Sequence, residues 1–221
     1  MGIAQAGLVF RTKAPISNYL HLVARLSGET ATQIPHPDAA KFDIRNHSDV
    51  MVQVFGDVCF VCNNDLVWET LENSNHDVFH MHSAIDSPDL WMAFCHYDSG
   101  GSYGYTVVEK GVKTRTRLQT TGVPRPPPIV ESGSPLAFEV EWLSAPFYYE
   151  DENDAEEDHI KVYYRGNREV LVREDRLTEQ MLDDCLISLF GVCPWETSEV
   201  PKYYFFKLQK TKKPWWKLGK L

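Results

Sequence analysis

The sequence predicts an α+β fold, a mostly antiparallel sheet with two or more helices packed on it. Three observations predict this. The stretch VMVQVFGDVCFVC reads as a β-hairpin, strand-like segments joined by glycine-bearing turns follow it as a meander, and two helically periodic stretches, each closed by a glycine, lie near either end. With 43% hydrophobic and 24% charged residues, the 221-residue chain can build a sizeable core, and residues 1–221 are read as one domain.

Ile3–Phe10 reads as a buried strand. Ser17 can cap a helix over Asn18–Leu26, with Gly28 just past its end. Residues Thr32 to Asp49 hold two prolines and read as loop. In the hairpin, Gly56-Asp57 suits a type II′ turn, because glycine takes the first central position, where φ is positive. Val50–Phe55 then pairs with Val58–Cys62. Met51, Gln53 and Phe55 share a face with Val58, Phe60 and Cys62, while Val50, Val52 and Val54 share the other with Cys59 and Val61. Both faces are largely apolar, so the hairpin is expected centrally, with cover on both sides.

Strand-like segments follow at Val78–Ala84, Leu90–Tyr97, Tyr103–Glu109 and Val112–Thr120, with turns at Asp98–Ser102 and Lys110-Gly111. The last strand sets Val112, Thr114 and Thr116 against Lys113, Arg115 and Arg117, the pattern of a sheet with one solvated face. GVPRPPPIVESGSP, residues 122–135, is too proline-rich for a central strand or a helix and is expected as an ordered, polyproline-like crossing over the surface. An apolar stretch at Phe138–Leu143 precedes an acidic loop near 150–158 with seven carboxylates in nine residues. A second hairpin is expected over Ile160–Val172, around Arg165-Gly166-Asn167. Thr178 can cap a helix whose stripe is Met181, Leu182, Cys185, Leu186 and Leu189, ended by Gly191. Lys202–Leu208 reads as a last strand. A basic tail near 207–221 interleaves six lysines with Trp215 and Trp216, and is expected either to fold back on its own chain or to meet a partner.

The net charge of -9 opposes a general attraction to nucleic acid or to an anionic membrane, and no nucleic-acid partner is expected. No run reaches the roughly 18 apolar residues that a membrane-spanning helix needs. The opening MGIAQAGLVFRTK lacks the pattern of a signal peptide. With five cysteines, an odd number, the expectation is reduced thiols and a cytoplasmic protein.

Chemistry-bearing candidates are few. Cys59 and Cys62 form a CxxC, but three residues apart on a strand they point to opposite faces, which favours core thiols over a metal or redox pair. HDVFHMHS, residues 76–83, carries three histidines. Read as a strand, it puts His80 and His82 on one face, within reach of His96 on the next segment. Imidazoles so placed can hold zinc or act as a base, with Asp86 or Asp98 from loops as further ligands. His82 and Ser83 are the catalytic candidates, although as strand neighbours they point apart and cannot form a dyad themselves.

Met81, His82, Ser83, Asp86, Trp91, Ala93 and Phe94, in MHSAID and WMAF, form a run that resembles an uncharacterised bacterial family of about this length, a domain of unknown function known mainly from actinobacteria. The strand MGIAQAGLVF, the stretch CNNDLV, Gly111 and Arg115, ESGSPLAFE and LTEQMLDDCLISLFG extend the resemblance over about two thirds of the chain. This chain departs from it by Ser87–Leu90 between Asp86 and Trp91, by the acidic run and by the Lys/Trp tail. The resemblance implies a common fold and a bacterial cytoplasmic origin. It implies no mechanism, since the family has no established activity, but it draws attention to His82, Ser83 and Trp91.

Two functions follow as expectations. The first is a non-enzymatic binding or interaction protein with a protein partner and no cofactor, using Trp91, Arg115, Trp215 and Trp216 as binding residues. The second is a metal-dependent hydrolase with zinc on His80, His82 and His96, the DSGGS loop shaping the mouth of its pocket.

Overall fold

A computed structural model describes residues 3–13, 15–37, 42–150 and 159–209 of the chain. Within them run β1 (Ala4–Arg11), α1 (Tyr19–Ser27), β2 (Thr30–Ile34), β3 (Asp49–Phe55), β4 (Val58–Cys62), α2 (Trp68–Glu72), α3 (Phe79–Ala84), β5 (Leu90–Tyr97), β6 (Ser102–Glu109), β7 (Val112–Gln119), β8 (Ile129–Gly133), α4 (Ala137–Leu143), β9 (Phe147–Glu150), β10 (Ile160–Arg165), β11 (Val170–Arg173), α5 (Leu177–Phe190) and β12 (Lys202–Gln209). The acidic run beyond Glu150 and the tail with Trp215 and Trp216 lie outside the described residues. No helix among the described residues is long and apolar enough to cross a membrane.

Nine strands form one antiparallel sheet in the order β2-β12-β3-β4-β1-β5-β6-β7-β8, and β11-β10-β9 form a second, three-stranded sheet. The fold class is the α+β expected. The hairpin has the expected register, Phe55 opposite Val58 and Met51 opposite Cys62, with positive φ at Gly56. It is central, and β1 lies between β4 and β5. Gly7 is required there: a Cβ would stand 2.3 Å from the Val61 carbonyl oxygen on the neighbouring strand.

Helices cover both faces of the large sheet. On one, α1, α2 and α3 pack Leu22, Val23, Leu71 and Met81 against Leu8, Cys59, Val61, Trp91 and Cys95. On the other, α4 and α5 pack Trp142, Met181, Leu182 and Leu186 against Val9, Phe60, Cys62, Met92 and Phe94. The odd and even residues of the central strands therefore feed different cores, which is why those strands read as continuous apolar runs. Cys59 and Cys62 fall into opposite cores, as the register requires. All five thiols are free and buried, and burial pushes the Cys62 thiol up to about 12. A thiol titration is expected to find no reactive cysteine in the native protein and all five after unfolding in denaturant.

Several expectations are corrected. Asn18, not Ser17, caps α1, accepting from the His21 N–H at 3.0 Å. Thr178 does not cap α5; it is buried within the first turn, its hydroxyl 3.2 Å from Arg117 Nε. The proline-rich segment ends in an edge strand, β8, paired with β7, and part of the stretch read as loop is the opposite edge, β2. Val78–Ala84 is not a strand. The His82 N–H donates to the Val78 carbonyl at 2.9 Å, and Asp77 Oδ1 accepts from the Phe79 N–H, so the segment coils into α3 with Met81 and Ala84 inward.

The polar face of β7 is not solvated. A bulge between Val107 and Val108 sets Arg115 opposite Val107 and Lys113 opposite Val108, so these two side chains leave on opposite faces. Arg115 and Arg117 are both buried. Arg115 Nε donates to both carboxylate oxygens of Glu139 on α4, at 3.0 and 2.9 Å, and the Tyr105 hydroxyl donates to the same carboxylate.

Candidate ligand site

His80, His82 and His96 do not converge. His80 and His82 are two residues apart on a helix and so point to opposite sides of it, whereas a strand would align them. His80 is exposed, and His82 lies against the Gly111 turn between β6 and β7. Helix α3 packs on the α1 face of the sheet. His96 shares the parity of Met92 and Phe94 and lies on the α5 face. The sheet thus separates His96 from His80 and His82, and the three-histidine zinc set has no common point. Ser83 is exposed and, with His80, lines a shallow groove beside α1. Trp91 is wholly buried in the core, and Arg115 is buried under α4 and bonded to Glu139, so neither offers a contact surface.

What the fold assembles is a cavity of about 350 Å³ between the end of β1, helix α1 and the loop after α3. Phe10, Ile16, Leu22, Ile85 and Pro88 supply its apolar lining. Its charged lining is Arg11, Lys13 and Arg25 against one carboxylate, Asp86, with His21 beside them. Arg11 is held by Asp57 at 2.9 Å and donates to the Phe190 carbonyl at 2.6 Å. Arg25 Nη1 donates to Asp86 Oδ1 at 2.8 Å, which lowers the pKa of that carboxyl, while Arg25 Nε is buried with no acceptor. Lys13 has no ion pair among the described residues and is exposed. Asp86 and Ser87 both adopt left-handed backbone, φ 62 and 47, a conformation that non-glycine residues rarely hold without being forced. The sequence marked Asp86 as a spare metal ligand and as part of the MHSAID run, not as the partner of Arg25. Arg25, in the last turn of α1, was not singled out in the sequence.

A second cluster lies on the other face. His96, at 1% exposure, has Nδ1 3.5 Å from Asp98 Oδ1 and Nε2 3.4 Å from Glu179 Oε1. The sequence offered Asp98 as a ligand for His96; Glu179, from the start of α5, it did not. Tyr103 and Trp195 wall the imidazole, with ring centroids 5.1 and 4.6 Å away. Arg176 Nη1 pairs with Glu179 Oε2 at 2.8 Å and lies 3.8 Å from Asp98 Oδ1. Nearby, burial raises the Asp183 carboxyl to about 6, against the lowering effect of the Trp195 N–H that donates to it at 2.8 Å.

Compared with known proteins, the chain matches no family model, no curated protein and no solved structure.

Proposed function

We propose that this chain is a binding protein that holds a small organic anion with an apolar body in the cavity beside α1. One observation carries the proposal: a cavity with three cationic side chains and one carboxylate in its lining, on a chain whose net charge is -9. Its volume, about 350 Å³, lies within the range of small-molecule sites. The apolar lining would take the body of the ligand. Lys13 and the unsatisfied Arg25 Nε–H would meet its charge, and a charge-assisted bond there would relieve a buried donor that otherwise has none. Binding without turnover is favoured because Ser17, which precedes the Asn18 cap of α1, and His21 share no hydrogen bond in the lining, so they do not form a nucleophile–base pair. The interaction protein expected from the sequence becomes, in this proposal, a small-molecule binder.

Isothermal titration with octanoate and with 1-octanol tests it. Octanoate is expected to bind at least tenfold more tightly, since a hydrogen bond to a charged group contributes about 1.5–3 kcal/mol. Lys13→Ala is expected to weaken octanoate about tenfold while leaving octanol binding and stability unchanged. Equal affinities for the two probes, or a Lys13→Ala protein that binds octanoate as before, would overturn the proposal.

A further inference from the structure

We infer that His96, Asp98 and Glu179 form a binding site for a divalent transition-metal ion, distinct from the anion cavity. One ligand atom from each residue can be chosen so that all three lie within 4.8 Å of one another, the only such group of three or more among the described residues. The three come from rigid positions: His96 near the end of β5, Asp98 opening the turn into β6, and Glu179 in the first turn of α5. Asp98 is fixed further by accepting the Ile3 N–H at 2.6 Å.

Burial points to a ligand. The His96 side chain is 1% exposed, and its Nδ1 has no hydrogen-bond partner, although a carboxylate stands 3.5 Å away. A buried ring nitrogen left that way is costly, and a metal ion beside Asp98 would use it, with the Glu179 carboxylate, which faces Nε2 at 3.4 Å, turning toward the ion to complete the set. The carboxylates are only 26% and 23% exposed, so the ion would meet charge that water does not fully screen. One imidazole with two carboxylates suits zinc or its first-row neighbours rather than calcium, which takes oxygen ligands. A cleft of about 330 Å³, lined by Arg176, Glu179 and Asp183, lies on the Glu179 side of the cluster.

Arg176 is what distinguishes this site from a plain charge network. Its guanidinium is half-exposed and bound to Glu179, so it competes for the ligand that the ion needs. Removing it should therefore strengthen metal binding, whereas in a network without metal it should only weaken the fold.

The test uses the full chain, washed with chelator and titrated with zinc, with elemental analysis of the dialysed protein and calcium as the control. One zinc per chain is expected, with no binding of calcium. Glu179→Gln and Asp98→Asn should each weaken zinc at least tenfold, and Arg176→Met should tighten it. His76→Ala should change nothing, since His76 lines a different cleft with His47 and His80. Thermal melts in chelator establish that each variant is folded. No retained zinc, unchanged affinity in Glu179→Gln, or loss of zinc in His76→Ala would each overturn the inference.

Discussion

Replacing Glu139 with glutamine is expected to lower the unfolding free energy by about 3–5 kcal/mol, the usual result of removing one partner from a buried ion pair. The Glu139 side chain is 0% exposed and that of Arg115 1%, and their contact is a two-oxygen bond from one guanidinium nitrogen. With the carboxylate gone, a guanidinium that cannot deprotonate stays buried. Its other contacts, to the Ser132 and Gly133 carbonyls at 3.4 and 3.2 Å and to Glu131 at 3.4 Å, compensate only in part. The same carboxylate accepts from the Leu136 N–H at 2.6 Å and from Tyr105, whose hydroxyl pKa is held well above its ordinary value by burial and by Glu139. Tyr105 donates to Oε1 and Leu136 to Oε2, so glutamine keeps an acceptor for one of these donors, and its NH2 can donate to the Tyr105 hydroxyl in place of the other bond. The double variant Arg115→Met with Glu139→Gln should therefore recover most of the loss, because it removes the stranded charge itself. Urea denaturation of the three proteins measures this, and the loss should be nearly independent of salt. A single variant that costs under about 1 kcal/mol would show that the pair is screened by water and not buried.

Trp91→Ala is the second large effect, expected at about 3–5 kcal/mol for deleting a fully buried aromatic side chain. Trp91 is 0% exposed and packs in the core beneath α1 and α3. Its Nε1–H is buried with no acceptor, so Trp91→Phe removes an unsatisfied donor along with some volume and should cost well under half as much. Octanoate affinity, measured on the folded Trp91→Phe protein, should stay at the wild-type value. A contact residue would behave in the opposite way, with binding lost in both variants and stability kept.

Much of the scaffold was legible because it rests on short-range rules. The β3–β4 hairpin follows from a glycine at the one turn position that needs positive φ and from apolar residues on both faces, which only a strand covered on both sides tolerates. The meander from β5 to β7 and the glycine ends of α1 and α5 were legible for the same reason, each depending on residues a few positions apart. The split of Cys59 and Cys62 between two cores follows from strand alternation alone.

Segments that fit two periods misled. In VFHMHSA the spacing of Val78, Met81 and Ala84 suits a helix, while the paired positions of His80 and His82 suit a strand; seven residues are too few for periodicity to separate them. The Asp77 that turns the chain into α3 was the available signal.

By itself, then, the sequence determined the fold class, the central hairpin with its register, the meander and the buried thiols, because alternation and turn chemistry act between near neighbours. Only the tertiary structure decided that Arg115 and Arg117 are inside, that His96 meets Glu179 and not His80, and that Lys13 and Arg25 share a cavity. An arginine reads as exposed until a carboxylate from elsewhere in the chain neutralises it, and a ligand set exists only once distant elements pack. Those pairings depend on which face each helix covers, and no local pattern encodes that choice.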